Sequence, residues 1–276
     1  VLRADNVTYV HASDTGARQA GGVTRALPGV QHVTLAVERG SIVGLLGPNG
    51  SGKTTLLRLL AGMLTPSSGR VTLGGSPLDS LGRRALAQRI AVVPQETHLA
   101  FDYTVRDIAL MGRYPHLGAF ELEGPRDLAI VRDALAATGT VDLEDRSFAT
   151  LSGGEKQRVV IASALAQQAD ILLLDEPTAS LDLGYQLEIS SLLAQLNRER
   201  GITVVVATHD LACAAGLCHR LVLLRDGRVL TTGTTTDTLT TETIRALYDV
   251  EASVAFDARA GRITVVPIEK VTVRRA

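Results

Sequence analysis

GPNGSGKT, residues 47–54, stands between the apolar run SIVGLL (41–46) and the amphipathic stretch TLLRLLAGM (55–63). A glycine-rich loop between a buried strand and a helix is the setting in which this octapeptide cradles phosphate. Gly47 opens the loop, and Gly50 and Gly52 let the backbone curl until its N–H groups point at phosphate oxygens. The helix start adds partial positive charge. Lys53 is placed to reach β and γ phosphates, and the Thr54 hydroxyl to reach Mg²⁺ beside them. Pro48, Asn49, Ser51 and Thr55 complete the predicted contact set.

Three further runs, IAVV (90–93), ILLL (171–174) and TVVVA (203–207), read with SIVGLL as buried strands of an α/β sheet. Each of the three leads into polar residues: the first to Gln95, the second to Asp175 and Glu176, the third to His209. Ligands of parallel α/β sheets sit at the carboxyl ends of strands, so these segments are expected to converge on one edge. Asp175 is the expected Mg²⁺ ligand and Glu176 the general base that polarises water toward a γ phosphate. Gln95 is expected to contact Mg²⁺ or that water. His209 is expected to donate to the γ phosphate or to hold Glu176.

Between Gln95 and residue 151 the composition turns helical, with TVRDIALMGR (104–113) and PRDLAIVRDALAATG (125–139) the clearest pieces. In the second, Pro125 suits a first turn, Leu128, Val131 and Leu135 share a face, and Gly139 suits the end. LVLLRDGRVLTTG (221–233) predicts a hairpin turning at Asp226–Gly227, and SVAFDARAGRITVVPI (253–268) another around Ala260–Gly261. HASDTGARQAGGVTR (11–25) reads as a long loop between early strands.

Composition narrows the function classes. A formal net charge of -1 lacks the basic field of a nucleic-acid binder, and 3% aromatic content supplies few base-stacking platforms. Cys213 and Cys218, in LACAAGLCH, match no zinc or redox spacing and are expected to be buried free thiols. No apolar run approaches the roughly 20 residues that cross a bilayer. The chain is therefore expected to be soluble, with any membrane role supplied by a partner.

LSGGEKQR (151–158) adds a second glycine-rich helix start. Ser152 with Glu155 has the spacing of a capping box, which by itself only satisfies free backbone N–H groups. In the order GPNGSGKT, VVPQE, LSGGEKQR, ILLLDEP, ASLD, ATHD, however, the chain resembles the ATP-binding subunit of an ABC transporter along nearly its whole length. The resemblance implies a P-loop NTPase (RecA-like) core sheet with an antiparallel β subdomain and an inserted helical lobe. It implies a domain over residues 1–250, with the lobe at about 96–160, and a β-hairpin extension over 251–276. It further implies ATP and Mg²⁺ as cofactors and a head-to-tail dimer of two copies. In that dimer Leu151, Ser152, Gly153, Gly154 and Glu155 close over the partner's ATP, and Asp182 lies in a loop linking the two sites. Glu155 departs from the glutamine usual in the family. Tyr9, in NVTYV, matches the adenine-stacking aromatic, its other reading being a strand aromatic packed on the core.

YTVRDIALMGRYPHLG (103–118) and the tail IRALYDVEASVAFDARAGRITVVP (244–267) resemble ATPases that energise uptake of ferric siderophores, haem and cobalamin. That implies a membrane permease dimer, an extracytoplasmic substrate-binding protein, and a peripheral location on the cytoplasmic face of the membrane. A soluble ATPase of iron-sulfur cluster assembly and a DNA-repair ATPase are the alternatives. The latter usually carries coiled-coil or zinc-bearing insertions, which the sequence lacks.

Overall fold

The computed structural model describes residues 1–11, 28–97, 101–179 and 181–271. Residues 12–25 of the early loop, Ser180 of ASLD and residues 272–276 of the tail lie outside the described residues. In chain order the elements are β1 (Leu2–Val10), β2 (Pro28–Val37), β3 (Ile42–Leu46), α1 (Lys53–Leu60), β4 (Ser68–Leu73), β5 (Ser76–Pro77), α2 (Arg83–Ala87) and β6 (Ile90–Val93). Next come α3 (Val105–Met111), α4 (Pro125–Ala137), α5 (Gly153–Ala166), β7 (Ile171–Asp175), α6 (Leu183–Arg200), β8 (Thr203–Thr208) and α7 (Leu211–Leu217). The chain ends with β9 (Arg220–Arg225), β10 (Arg228–Thr234), α8 (Thr235–Thr238), α9 (Thr241–Tyr248), β11 (Val250–Asp257) and β12 (Arg262–Lys270). It divides into two compact units, Val1–Glu38 with Gly44–Ser80 and His209–Ala276, and Arg39–Val43 with Leu81–Thr208.

The first unit holds an antiparallel sheet of order β2-β1-β4-β5. Leu2, Ala4 and Val7 of β1 are fully buried, and the alternation slips by one at Asn6, whose φ of 48° marks a bulge in the ladder to β2. The hairpin expected at Asp226–Gly227 is present: β9 and β10 pair antiparallel, with φ of 51° and 75° at the two turn residues, and β3 lies on the far side of β9. Leu221–Leu224 are buried, as a strand covered on both sides requires. The tail hairpin also forms, β11 pairing with β12 across a turn that ends at Gly261 (φ 63°). β11 packs on α9 and β12 on α7.

The second unit is built on the parallel strands β6, β7 and β8, with Ile90 beside Ile171 and Ile171 beside Thr203. Every residue of β7 and β8 is buried, the physical reason their sequences are unbroken apolar runs. α3, α4 and α5 pack against one another. Pro125 and Gly139 (φ 64°) bracket α4 as expected and Leu128, Val131 and Leu135 share a face of it, Leu128 at its open end being 46% exposed. α3 and α5 cover the Val131–Ala134–Leu135 stripe and leave the first turn of α4 in solvent.

An arginine staples these three helices. Arg113, just past α3, has a side chain 5% exposed; its Nε donates to Asp127 in the first turn of α4 at 2.9 Å. Its Nη1 donates to the Ala166 carbonyl at the end of α5 at 2.7 Å and to Gln168 Oε1 at 3.1 Å. The Ala166 carbonyl is buried and Asp127 half-buried, while Gln168 is exposed, so the guanidinium completes the polar ends of two helices.

Candidate functional site

In the first unit the phosphate loop leaves β3 at Gly47 and enters α1 at Lys53. Gly50 and Gly52 have φ of 79° and 98°, a region that costs other residues strain, so both glycines are backbone requirements. Nothing lies within 4 Å of where a Cβ on Gly50 would project, and an anion can approach the loop backbone there. Lys53 is 5% exposed, with its Nζ donating to the Gly47 carbonyl at 2.9 Å and the Pro48 carbonyl at 3.1 Å. Ser51 is 2% exposed, and its Oγ is buried without a hydrogen-bond partner. An orphan hydroxyl, a tethered ammonium and a helix start fit a bound phosphate chain.

In the second unit the parallel strands bring Gln95, Asp175 and Glu176 to one carboxyl edge. Gln95 is exposed two residues beyond β6, and Asp175, the last residue of β7, is 7% exposed. Glu176 adopts φ 49°, uncommon for a long side chain, while its N–H donates to the Ala207 carbonyl of β8 at 2.8 Å. That left-handed step turns the second carboxylate away from the direction the strand would give it; such strain gathers at functional positions. Gln95 and Asp175 of this unit carry side-chain oxygens of the kind Mg²⁺ takes, and in the first unit so does Thr54 in the first turn of α1. Among the described residues no group of three or more His, Cys, Asp or Glu could hold a metal ion.

The signature segment opens α5. Leu151 is buried, and Ser152 is the N-cap of a complete capping box. Its N–H and Oγ–H both donate to Glu155 Oε2 at 2.8 Å, and the Glu155 N–H returns a 3.3 Å bond to Ser152 Oγ. The Ser152 backbone N–H, then its hydroxyl, holds the Glu155 carboxyl below its ordinary range. A Cβ on Gly154 would fall 2.5 Å from Cγ of Tyr185, so the glycine lets α5 approach the first turn of α6. Asp182 is the N-cap of α6 and accepts from Tyr185 N–H at 3.0 Å.

Tyr9 and His209 belong to the first unit. Tyr9 is half-buried in β1 with its ring edge-on to His11 at 5.1 Å, and His11 Nε2 lies 3.4 Å from Thr55 Oγ1. His11 escapes sequence reasoning because it begins the loop that carries no periodic pattern. His209 is exposed, and its carbonyl accepts from the Tyr248 hydroxyl at 3.4 Å. Asp210 beside it caps α7 through Ala212 and Cys213 N–H. Cys213 and Cys218 are buried and free, as their spacing indicated.

A family model described as ABC transporter matches residues 30–179, more than half of the chain. The cobalamin import ATP-binding protein BtuD of Halobacterium salinarum is 43% identical over 239 residues, covering 87% of this chain and 60% of that protein. The chain thus spans about 60% of the length of that relative. The hemin import ATP-binding protein HmuV of Bordetella pertussis is 42% identical over 259 residues, covering 90% of this chain and 98% of its own. Among solved structures, an inward-facing ABC transporter assigned to the metal-chelate type superposes with a TM-score of 0.80 at 31% identity, covering 97% of this chain and 96% of that one. The dimeric structure of the bacterial cassette MJ0796 gives 0.72 at 29% identity, covering 85% and 99%. A family model over more than half of the chain and relatives at 42–43% identity show that the chain belongs to the ABC transporter family.

Proposed function

We propose that this chain is the ATP-hydrolysing subunit of an ABC importer that takes up an iron chelate, ferric siderophore or haem, or cobalamin through a separate membrane permease. The observation that carries the reading is the presence of two helix starts suited to anions, the phosphate loop before α1 and the Ser152–Gly154 start of α5. A second such start is redundant in a solitary ATPase and necessary in a head-to-tail dimer, where each signature meets the partner's γ phosphate. The dimeric cassette among the structural neighbours supports that assembly, and the relatives named for cobalamin and hemin import support the cargo class.

In this reading the loop N–H groups of residues 47–55 and Lys53 bind the β and γ phosphates, and Tyr9 stacks on adenine. Thr54, Gln95 and Asp175 hold Mg²⁺, which when bound neutralises phosphate charge. Glu176 accepts a proton from the attacking water as the γ phosphorus gains that oxygen and loses the bridge to ADP. His209 donates to the γ phosphate, and Gln95 orients the water. Leu151 through Glu155 act on the partner's nucleotide, and the loop at Asp182 links the two sites. Closure on ATP and reopening after hydrolysis then move the permease, with the chain held peripherally at the cytoplasmic face. No helix among the described residues is long and apolar enough to cross a membrane, so membrane attachment would have to come from a partner or from residues outside the described ones. An ATPase domain over 1–250 with its helical lobe at about 96–160, and an extension over 251–276, fits the packing of α3, α4 and α5 on one another.

The test is a Glu176→Gln chain with ATP and Mg²⁺. Light scattering is expected to report a stable dimer and phosphate release to fall at least ~10²-fold; a monomer hydrolysing at the normal rate would refute the assignment. Uptake into vesicles holding the permease, with ferric siderophore, haem and cobalamin in parallel, then selects the cargo.

A further inference from the structure

We propose that the end of α9 positions two nucleotide-contacting loops at once, with Tyr248 and Asp249 as the positioning residues. The inference rests on the roles proposed above for the phosphate loop and His209, and it concerns contacts within the first unit only.

Tyr248 and Asp249 are consecutive, and each reaches one loop. The Tyr248 hydroxyl donates to the His209 carbonyl at 3.4 Å. Asp249 takes the Arg225 guanidinium in a two-pronged pair, Nη2 to Oδ2 at 2.8 Å and Nη1 to Oδ1 at 3.2 Å, and Arg225 also donates to the Ala246 carbonyl. Arg225 is the last residue of β9. Two residues on, the Gly227 N–H donates to the carbonyl of Ser51 in the phosphate loop at 3.1 Å, and the Gly227 carbonyl accepts from Gln31 at 2.7 Å. A short chain of bonds therefore runs from Asp249 through Arg225 and the β9–β10 turn to Ser51. Its neighbour Tyr248 ends on His209.

Backbone geometry holds this junction in one form. Asp249 sits at φ 56°, and its N–H donates to the Arg245 carbonyl, closing α9 with a left-handed residue from which β11 departs. The returning strand β12 lies on α7, where the Arg262 guanidinium covers Gly216 so closely that a Cβ there would overlap Nη1. α7 begins at Asp210, next to His209, so the extension also restrains the helix that follows the histidine. The Arg225 and Asp249 side chains are 34% and 46% exposed, and pairs at such sites add little stability. What a fixed two-pronged pair adds is direction, and here the direction leads to loops that must hold phosphate oxygens within a few tenths of an ångström.

Two conservative variants of the full chain test this. Tyr248→Phe removes one hydroxyl; kcat for ATP hydrolysis is expected to fall about 5-fold, with KM and the thermal midpoint unchanged. Asp249→Asn keeps a residue that tolerates the left-handed cap and removes the charge. Its dissociation constant for a fluorescent ATP analogue is expected to rise about 3-fold, with the midpoint preserved. If both variants match the unaltered chain, or if their losses simply follow a lowered thermal midpoint, the positioning role is wrong. If the unaltered chain itself binds no nucleotide, the ATPase reading falls and this inference with it.

Discussion

Replacing Arg113 with methionine is expected to cost more stability than any other single charged-residue change in the second unit. The change keeps an unbranched stem of similar reach and deletes the guanidinium that bonds Asp127, Ala166 and Gln168. Asp127 retains the Gly124 N–H at 3.0 Å, and its side chain is 15% exposed, so water relieves part of its loss; the Ala166 carbonyl loses the Arg113 N–H. Breaking a buried pair on one side costs about 3–5 kcal/mol, and the partial exposure of Asp127 places this case at the lower end, about 3 kcal/mol. For a chain of this size that corresponds to a fall of roughly 6–12 °C in thermal midpoint. The pH dependence supplies an independent check. The Arg113 hydrogen bond, then the Gly124 N–H, holds the Asp127 carboxyl below its ordinary 3.8. A folded value below the unfolded one means that the unfolded chain takes up the proton first as pH falls. The stabilisation is therefore complete above the ordinary value and disappears as pH drops through the folded one. Urea denaturation followed by circular dichroism at pH 7 and about pH 3, below the ordinary value, measures both effects, and Arg113→Met should flatten the acid-side loss. A variant within 1 kcal/mol of the unaltered chain, with the same acid dependence, would refute the staple.

Glu155→Gln should cost about 0.5 kcal/mol of stability at pH 7, since a neutral acceptor replaces a charged one. Because the folded Glu155 carboxyl lies below its ordinary 4.5, the unaltered cap weakens as pH falls beneath that value and the glutamine cap does not; denaturation midpoints at both pH values check this. Gly154→Ala drives a methyl into the Tyr185 ring and should cost about 1–3 kcal/mol, most of it recovered on adding Tyr185→Ala, as thermal melts would report. Burial pushes the Cys218 thiol well above its ordinary range, so iodoacetamide at pH 8 should label it only after denaturation.

Much of this protein is legible in its sequence. Three of the four apolar runs became parallel strands and SIVGLL a fully buried one, because a strand buried on both faces has no polar position to interrupt it. GPNGSGKT, the Asp226–Gly227 turn and the Ser152–Glu155 box were readable because each is a local device, a few residues whose backbone angles or hydrogen bonds are set by their own side chains. Leu128 shares its face with Val131 and Leu135 yet stays exposed, because a helix face says which residues could be buried, while only the neighbouring helices decide how far along the face burial extends.

Several features needed tertiary structure. Arg113 reads in sequence as an ordinary polar helix end, and its burial exists because Asp127, Ala166 and Gln168, 14 to 55 residues away, converge on it. The left-handed turn at Glu176 depends on the N–H bond to Ala207, the close approach behind Gly154 on Tyr185, and the reach of Tyr248 on a carbonyl 39 residues earlier. Short-range patterns determine which chemistry a segment can offer, because they act through the chain's own geometry. Its aim is settled only when distant segments pack, since packing alone chooses which carbonyl, ring or carboxylate each side chain meets.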